Sequence, residues 1–288
     1  MITRIKDLLI RNRSLQKINF AVARGVAASS LRTIDITRPA SWEFSGFSQN
    51  GEDGILDVLL RQVCEPNRYF IEIGTADGLE NNTSWLSLVH RYCGLCIEGD
   101  PKKSEAHRSV FTPMNYGLTF LNLFVTTDSL ESMTSQTRTL APDVFSLDID
   151  GNDYYIAKAV LEAGFRPKIF VVEYNSAFGP EKSVTIPYSK DFRIGSSDAE
   201  RLYYGCSVAG WKCLFKDHGY RFVTVDQNGV NAVFVAPDAF PVAFLDQVSG
   251  THFAENFSQL TNHRSEWPQQ YALLRGQTLH EIKAGQTH

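Results

Sequence analysis

The chain has 288 residues, of which 43% are apolar and 21% are charged, which is typical of a globular protein and excludes a disordered, collagen-like or disulfide-stapled one. No apolar run approaches the roughly 20 residues that a helix needs to span a bilayer. The formal net charge of -4 excludes an overall basic nucleic-acid binder.

The charge is unevenly distributed along the chain. Residues 1–32 contain seven basic side chains against one acidic side chain, a net +6, so the remaining residues carry -10. The beginning of the chain lacks the apolar core of roughly 7–15 residues that a secretory signal requires. Five cysteines, an odd number, favour a reducing compartment. We therefore expect a cytoplasmic protein.

The middle of the chain alternates short apolar runs with helix-like segments. Helical spacing is found at 82–92, after residue 126, and at 153–164, where Gly164 is the expected stop signal. Because the apolar runs show little polar alternation, the pattern predicts a parallel sheet covered by helices on both faces. The predicted strands are 68–74, 93–98, 117–126, 143–150 and 168–174.

The pattern changes after residue 175. Residues 176–198 form a long insertion rich in Gly, Pro and Ser, and such loops are usually functional or mobile. A helix-like stretch follows at 199–217, and then two β-rich runs flank Asn228-Gly229. Asn-Gly between such runs indicates a hairpin, so we expect an α/β sheet closed by antiparallel strands. We expect a helical or loose tail at 241–288.

The first predicted strand ends in a glycine-containing turn. Gly74 and Gly78 would let the backbone approach a ligand closely, but their GxxxG spacing disfavours the GxGxxG site of dinucleotide pyrophosphates. Glu98 ends the second predicted strand, 20 residues beyond Gly78, where a carboxylate can accept hydrogen bonds from both hydroxyls of a ribose. The turn therefore indicates a nucleoside-containing ligand; alternatively, the glycines only connect a strand to a helix.

An ordered set of motifs resembles the FkbM-type branch of class I S-adenosylmethionine-dependent methyltransferases. The resemblance covers about residues 47–236. It implies a Rossmann-like, mostly parallel seven-stranded sheet with an antiparallel closing hairpin, and S-adenosylmethionine as the cofactor. The motifs are FSQNGEDGIL (47–56), FIEIGTADGLENNTSWL (70–86), GLCIEGDP (94–101), LDIDGNDYY (147–155), VVEYN (171–175) and GVNAVFV (229–235).

The resemblance also implies which residues bind the cofactor. Glu72, Gly74 and Gly78 are expected to line its methionine end, and Glu98 to hold its ribose. The chain departs from the GxGxG version of the first motif because Ala76 replaces the central glycine. The predicted cofactor-binding set is completed by Gln49 and Glu52 from the preceding segment, and by Asp77, Asn82 and Asp148.

Acidic side chains cluster where the fourth and fifth predicted strands end. Strand alternation would place Asp148 and Asp150 on the same face. Carboxylate and amide oxygens are the ligands that Mg²⁺ and Mn²⁺ prefer, and such an ion can polarise a hydroxyl group. By position, the cluster is similar to the metal site of catechol O-methyltransferases. The predicted metal ligands are Asp148, Asp150, Glu173 and Asn175.

Other interpretations of this region stay open. Asp150, Gly151 and Asn152 could only form a turn that caps the next helix. Alternatively, Asp150 or Asp153 is a metal-free general base towards a substrate hydroxyl, and His218 is a further candidate base. The Asp-x-Asp pattern is also typical of glycosyltransferases that hold Mn²⁺ and a nucleotide sugar, and a non-catalytic cofactor-binding module is a third hypothesis.

The basic N-terminal segment has helical character. On a helix, one sector that spans about 40° is basic. One interpretation is an ordinary surface helix that covers the domain or forms a dimer contact. The alternative is a helix that lies on an anionic membrane or docks on an acidic partner. The basic sector contains Lys6, Arg13, Lys17 and Arg24, and a separate apolar sector contains Ile5, Leu8, Leu15, Val22 and Val26.

These expectations combine into one predicted organisation and function. Residues 1–46 form a basic helical arm, 47–240 a methyltransferase domain, and 241–288 the tail. The predicted reaction is O-methylation of a hydroxyl on a sugar, glycan or secondary metabolite, with a small-molecule or glycan acceptor and no nucleic-acid partner.

Overall fold

A computed structural model describes residues 2–285 of the chain, and the side chains of residues 12–285. Its centre is a seven-stranded sheet in the order β3-β2-β1-β4-β5-β8-β7, and β6 pairs separately with β9. The strands are β1 (Tyr69–Ile73), β2 (Cys93–Glu98), β3 (Leu118–Asn122), β4 (Val144–Leu147), β5 (Ile169–Glu173), β6 (Val184–Thr185), β7 (Arg221–Val225), β8 (Asn231–Val235) and β9 (His280–Glu281).

Strands β1 to β5 are mutually parallel, whereas β8 runs antiparallel to both of its neighbours, β5 and β7. The predicted Rossmann-like, mostly parallel sheet with an antiparallel closing hairpin is therefore confirmed. The strand order diverges between β1 and β4, since β2 and β3 lie to one side of them and β5 to the other. In an open α/β sheet this is the position at which ligands bind.

Helices cover the sheet and fill the connections. Helix α6 ends before Gly164, whose φ of +90° matches the predicted stop. The predicted single helix at 199–217 is instead two helices, because Cys206 is extended and pairs with Thr185. The helices are α1 (Ile2–Leu31), α2 (Glu52–Leu60), α3 (Ser84–Leu88), α4 (Pro101–Phe111), α5 (Leu130–Thr134), α6 (Asp153–Glu162), α7 (Asp198–Arg201), α8 (Val208–Asp217), α9 (Val242–Leu245), α10 (Phe257–His263) and α11 (Trp267–Leu273).

Both faces of the sheet are buried, which explains the nearly continuous apolar strands. On one face Phe145 and Phe170 pack with Trp211 of α8. On the other face Val171 and Val233 belong to a second cluster that includes Leu59 of α2. Full burial of each such side chain contributes about 1.5–3 kcal/mol, so the two clusters fix the sheet that carries the site.

The N-terminal helix α1 packs on the domain through its second half. Ile18 and Ala21 are buried against a cluster that contains Trp85, and a Cβ at Gly25 would overlap the Trp85 ring. Val26 of the predicted apolar sector is instead exposed. The side chains of Ile5, Lys6 and Leu8, which the predicted sectors include, lie outside the described residues. Among residues 2–285 we find no helix with the length and apolarity that crossing a bilayer requires.

The segment before α2 contacts that helix closely. The Gly54 N–H donates to the Phe44 carbonyl oxygen at 3.2 Å, and a Cβ at Gly54 would overlap the Trp42 carbonyl oxygen. Trp42 is fully buried. The second glycine of the GEDG sequence is therefore needed for contact between two backbones, which holds residues 42–44 against the start of α2.

We expect Gly54→Ala to lower the free energy of unfolding by about 3 kcal/mol, because the added methyl group must displace backbone atoms. Gly219→Ala is the matched control: Gly219 has a φ of +79° but open space around its Cβ position, so its cost is about 1 kcal/mol. Urea unfolding of both variants measures the difference. Equal losses of stability would contradict the steric argument.

Candidate functional site

A cavity of about 790 Å³ opens at the carboxyl ends of β1, β2 and β4. This volume is within the range of small-molecule sites, roughly 300–1,000 Å³. The cavity lies at the point where the strand order diverges. Of the residues that the sequence predicted, those lining it are Gln49, Glu52, Glu72, Gly74, Asp77, Asn82, Glu98, Asp148 and Asp150.

The turn after β1 lies in close contact with the segment after β4. Gly74 has a φ of +90°, and a Cβ at this position would overlap the Asp148 carbonyl oxygen. Ala76, which replaces the glycine of the GxGxG version, also has a positive φ of 46°. This left-handed conformation costs an alanine roughly 1–2 kcal/mol, and the bond from its N–H to Glu98 Oε2, at 2.8 Å, helps to hold it.

Glu98 lies at the end of β2 and lines the cavity. Its Oε2 accepts the Ala76 N–H, and its Oε1 accepts the Asp100 N–H at 2.7 Å. These two bonds fix the orientation of the carboxylate. Each oxygen can still accept a further hydrogen bond, so the group can accept from two neighbouring hydroxyls of a ligand.

Glu72 shapes the wall of the cavity. Its carboxylate accepts hydrogen bonds from Asn81 Nδ2 at 2.6 Å, the Asn82 N–H at 2.9 Å and Thr83 Oγ1 at 2.5 Å. Burial raises the pKa of Glu72 to about 7, against the opposing effect of these donors. Because its oxygens are occupied in this way, Glu72 positions Asn81 and Asn82, which line the cavity themselves.

Gly78 does not line the cavity, contrary to the prediction. With a φ of +77°, it faces His107 of α4, and a Cβ at Gly78 would overlap the imidazole ring. His107 is buried between Phe111 and Phe120, at ring-centroid distances of 4.5 and 4.9 Å. Gly78 therefore allows the His107 ring to pack against the turn after β1. Sequence reasoning missed His107 because two of its contacts, Gly78 and Phe120, come from other segments of the chain.

Three carboxylates converge beside the cavity. One oxygen each of Asp148, Asp150 and Glu173 lies within 4.8 Å of the others. The strand alternation invoked for Asp148 and Asp150 is wrong, because β4 ends at Leu147 and Asp150 has a φ of +54°. The turn after β4, rather than a shared strand face, brings these side chains together.

This acid cluster, formed by Asp148, Asp150 and Glu173, is electrostatically costly. Burial first, and then the neighbouring carboxylates, raise the pKa values of Asp148 and Glu173 well above their ordinary range. Within the described residues, the buried Glu173 Oε2 has no hydrogen-bond partner. The cluster therefore needs protons or a cation to compensate its charge.

Asn175 is not available as a metal ligand, which corrects the predicted set. Its amide nitrogen donates to the carbonyl oxygens of Leu202 and Tyr204, and its Oδ1 accepts from the Ala177 N–H and Gln259 Nε2. The side chain is fully buried. Its role is to connect the end of β5 to the segments that cover it.

Asn231 is the amide that the sequence reasoning missed. It lines the cavity and pairs directly with Glu173 across the antiparallel strands β5 and β8. Directly opposite residues of such a pair place their side chains on the same face. Asn231 Nδ2 donates to Glu52 Oε1 at 2.6 Å, and its buried Oδ1 has no partner among the described residues.

Two predicted catalytic residues lie elsewhere. Asp153 is fully buried at the start of α6, where its carboxylate accepts the N–H groups of Ile149 and Gly151, both at 2.8 Å. It therefore holds the turn that carries Asp150. His218 follows α8 and precedes β7, at the edge where β5 and β7 begin, whereas the cavity lies at the edge where the parallel strands end.

The long insertion contributes the outer wall of the cavity through Phe192, Arg193 and Ile194. The Arg193 guanidinium carbon lies 4.5 Å from the centre of the Phe124 ring, and Lys190 forms an ion pair with Asp128. The insertion is thus attached to the segment after β3. Acidic side chains outnumber Lys103 and Arg193 along the cavity walls, which favours cationic or neutral ligands.

No family model and no curated protein sequence matches this chain. Among solved structures, it is similar to cofactor-bound Rv0187 from MTB, with 18% identity, a TM-score of 0.43, and 75% of this chain and 89% of that chain covered. It is also similar to the O-methyltransferase TomG from Streptomyces achromogenes, with 14% identity, a TM-score of 0.45, and 75% and 96% covered. A further similar structure is the O-methyltransferase from Bacillus cereus in complex with SAH, with 13% identity, a TM-score of 0.40, and 76% and 90% covered.

We expect His107 to make stability depend on pH. Burial lowers its pKa to about 3, below the ordinary value of about 6.5. As the pH falls below 6.5, the unfolded chain binds a proton that the folded chain does not, so stability is lost progressively down to about pH 3. Relative to His107→Gln, the wild type should lose about 1.4 kcal/mol per pH unit in this window.

Urea unfolding at several pH values between 7.5 and 5 measures this difference. Buried carboxylates such as Glu72, whose pKa is raised to about 7, titrate in the same window in every variant, so their contribution cancels in the comparison with His107→Gln. The exposed His252 provides the matched control for the loss of a histidine through His252→Gln. A His107→Gln profile parallel to that of the wild type would contradict the assigned burial effect.

Proposed function

We propose that the protein transfers the methyl group of S-adenosylmethionine to a hydroxyl oxygen, as an enzyme of the FkbM-type branch of class I methyltransferases. The observation that carries the proposal is Glu98. It is held at the end of β2 by the Ala76 N–H, beside a cavity at the divergence of the strand order. A carboxylate there suits the two hydroxyls of a ribose.

The residues present fit the rest of this cofactor. Asn81 Oδ1 is buried without a partner among the described atoms, and Asn81 lines the cavity beside Glu72. An ammonium group, such as that of a methionine moiety, would supply the missing donor. Leu123 and Val125 provide an apolar wall near Glu98 for a flat base. When bound, S-adenosylmethionine supplies an electrophilic methyl group on a positively charged sulfur, which the acidic walls favour.

The acid cluster is suited to activating the acceptor. Asp150 is its most exposed member and lines the cavity. Burial raises the pKa of Asp150 above its ordinary value, and a base is most effective when its pKa approaches the working pH. We infer that, when no cation is bound to the cluster, Asp150 receives the proton of the acceptor hydroxyl. We propose a neutral acceptor, such as a hydroxyl on a sugar, glycan or secondary metabolite, because the prevailing negative charge of the cavity walls disfavours anions.

We further propose that the cluster holds a divalent cation such as Mg²⁺ or Mn²⁺. Asp148, Asp150 and Glu173 would be its ligands, with the Asn231 amide oxygen in place of that of Asn175. The support is that Glu173 Oε2 and Asn231 Oδ1 are both buried without partners and belong to directly paired residues. The ion would supply a Lewis acid that polarises the acceptor hydroxyl.

We expect Glu98→Gln to weaken the binding of S-adenosylhomocysteine at least tenfold, since a charge-assisted hydrogen bond is replaced by a neutral one. Isothermal titration calorimetry measures the dissociation constant. Glu105→Gln, on the exposed side of α4, is the matched control and should bind like the wild type. Absence of binding by the wild type, together with Mn²⁺-dependent binding of a nucleotide sugar, would favour a glycosyltransferase and overturn the proposal.

For the cation, we expect Mn²⁺ titration monitored by electron paramagnetic resonance to show one bound ion. Glu173→Gln and Asn231→Ala should each weaken Mn²⁺ binding about tenfold or more. Asp77→Asn removes a carboxylate that lines the cavity outside the acid cluster and should leave Mn²⁺ binding unchanged. Failure of the wild type to bind Mn²⁺, with S-adenosylhomocysteine binding intact, would reject the metal and retain the cofactor proposal.

A further inference from the structure

Helix α1 presents a stripe that combines basic and large apolar side chains. Successive residues of a helix are about 100° apart, so five exposed positions fall within about 60° of one another. We call these residues the basic stripe. They are Arg13, Lys17, Phe20, Arg24 and Leu31.

The basic stripe lies beside the buried face of α1 and is exposed. The buried face contains Ile18, Ala21 and Gly25, which lie about 40–160° around the helix from the members of the stripe. Phe20 is 69% exposed and Leu31 is 84% exposed. Packing of α1 on the domain therefore does not account for the two large apolar side chains.

From residue 8 onward the charged side chains of this helix are all basic. Residues 8–34 contain five basic side chains and no acidic one, in a chain whose net charge is -4. In the described part of α1, Arg24 donates to the Gly46 carbonyl oxygen at 2.6 Å, which attaches this member of the stripe to the domain. Exposed basic and large apolar side chains are thus combined along one helix of the domain.

We propose that the basic stripe binds the surface of an anionic lipid bilayer. Phe20 and Leu31 would enter the boundary between headgroups and acyl chains, while Arg13, Lys17 and Arg24 would contact anionic headgroups. A second copy of the chain fits less well, because two such stripes would repel each other. An acidic protein would complement the charges but gives no reason for exposed Phe20 and Leu31 beside them.

The inference is independent of the proposed reaction, because the basic stripe contains none of the residues that line the cavity. The basic stripe would attach the domain peripherally to a membrane surface. The helix would lie along the surface, so that the basic stripe contacts lipid and the adjacent face, about 100° around the helix, contacts Trp85 and its neighbours.

Co-sedimentation of the full chain with lipid vesicles tests the proposal. We expect binding to vesicles of phosphatidylcholine mixed with phosphatidylglycerol, little binding to phosphatidylcholine alone, and release at high salt. The double variant Arg13→Glu with Lys17→Glu should lower the partition coefficient about 25-fold or more, at about fivefold for each basic charge. Phe20→Ser should also lower it, with the charge unchanged.

The matched control is Lys216→Glu with Arg275→Glu, which makes the same change in net charge at two exposed positions outside α1. We expect this variant to bind vesicles considerably better than the α1 double variant. The proposal is overturned if the wild type does not bind anionic vesicles, or if both double variants bind equally. It is also overturned if size-exclusion chromatography shows a dimer that the α1 substitutions dissociate while vesicle binding is absent.

Discussion

The candidate site depends on the contact between the ends of β1 and β4. Gly74 lies so close to the Asp148 carbonyl oxygen that any side chain would force the two loops apart. One loop contains the turn held by Glu98, and the other contains Asp148 and Asp150. The contact therefore sets the distance between the region proposed for the cofactor and the region proposed for the acceptor.

The same region concentrates buried negative charge, which is unfavourable for the folded state. Glu72 is compensated by three hydrogen-bond donors, and Asp153 by two backbone N–H groups. Asp148 and Glu173 have no comparable set of donors within the described chain, and burial, followed by the neighbouring carboxylates, raises their pKa values well above the ordinary range. A carboxylate that serves the fold is surrounded by donors, whereas one that serves a ligand lacks them until the ligand binds. This difference separates Glu72 and Asp153 from the acid cluster.

The sequence was sufficient for features that depend on local pattern. Apolar runs identified the strands to within a few residues, and Glu98 could be placed because it terminates such a run. The sequence was insufficient for features that depend on long-range contacts. Asn175 and Asn231 are both amides near strand ends, yet only the fold shows that the first is occupied by Leu202 and Tyr204 while the second faces Glu173. The positive φ of Asp150 likewise follows from the contacts that hold its turn.

The uneven charge along the chain corresponds to two separate regions of the structure. Negative charge surrounds the cavity at one edge of the sheet, where a sulfonium ion and a divalent cation would be attracted. Positive charge is concentrated on the outer side of α1, which contributes no residue to the cavity wall. If the two signs were mixed on one surface, the fields would largely cancel beyond about 10 Å at moderate ionic strength. Their separation allows the domain to attract cations into its cavity and anions to its outer helix at the same time.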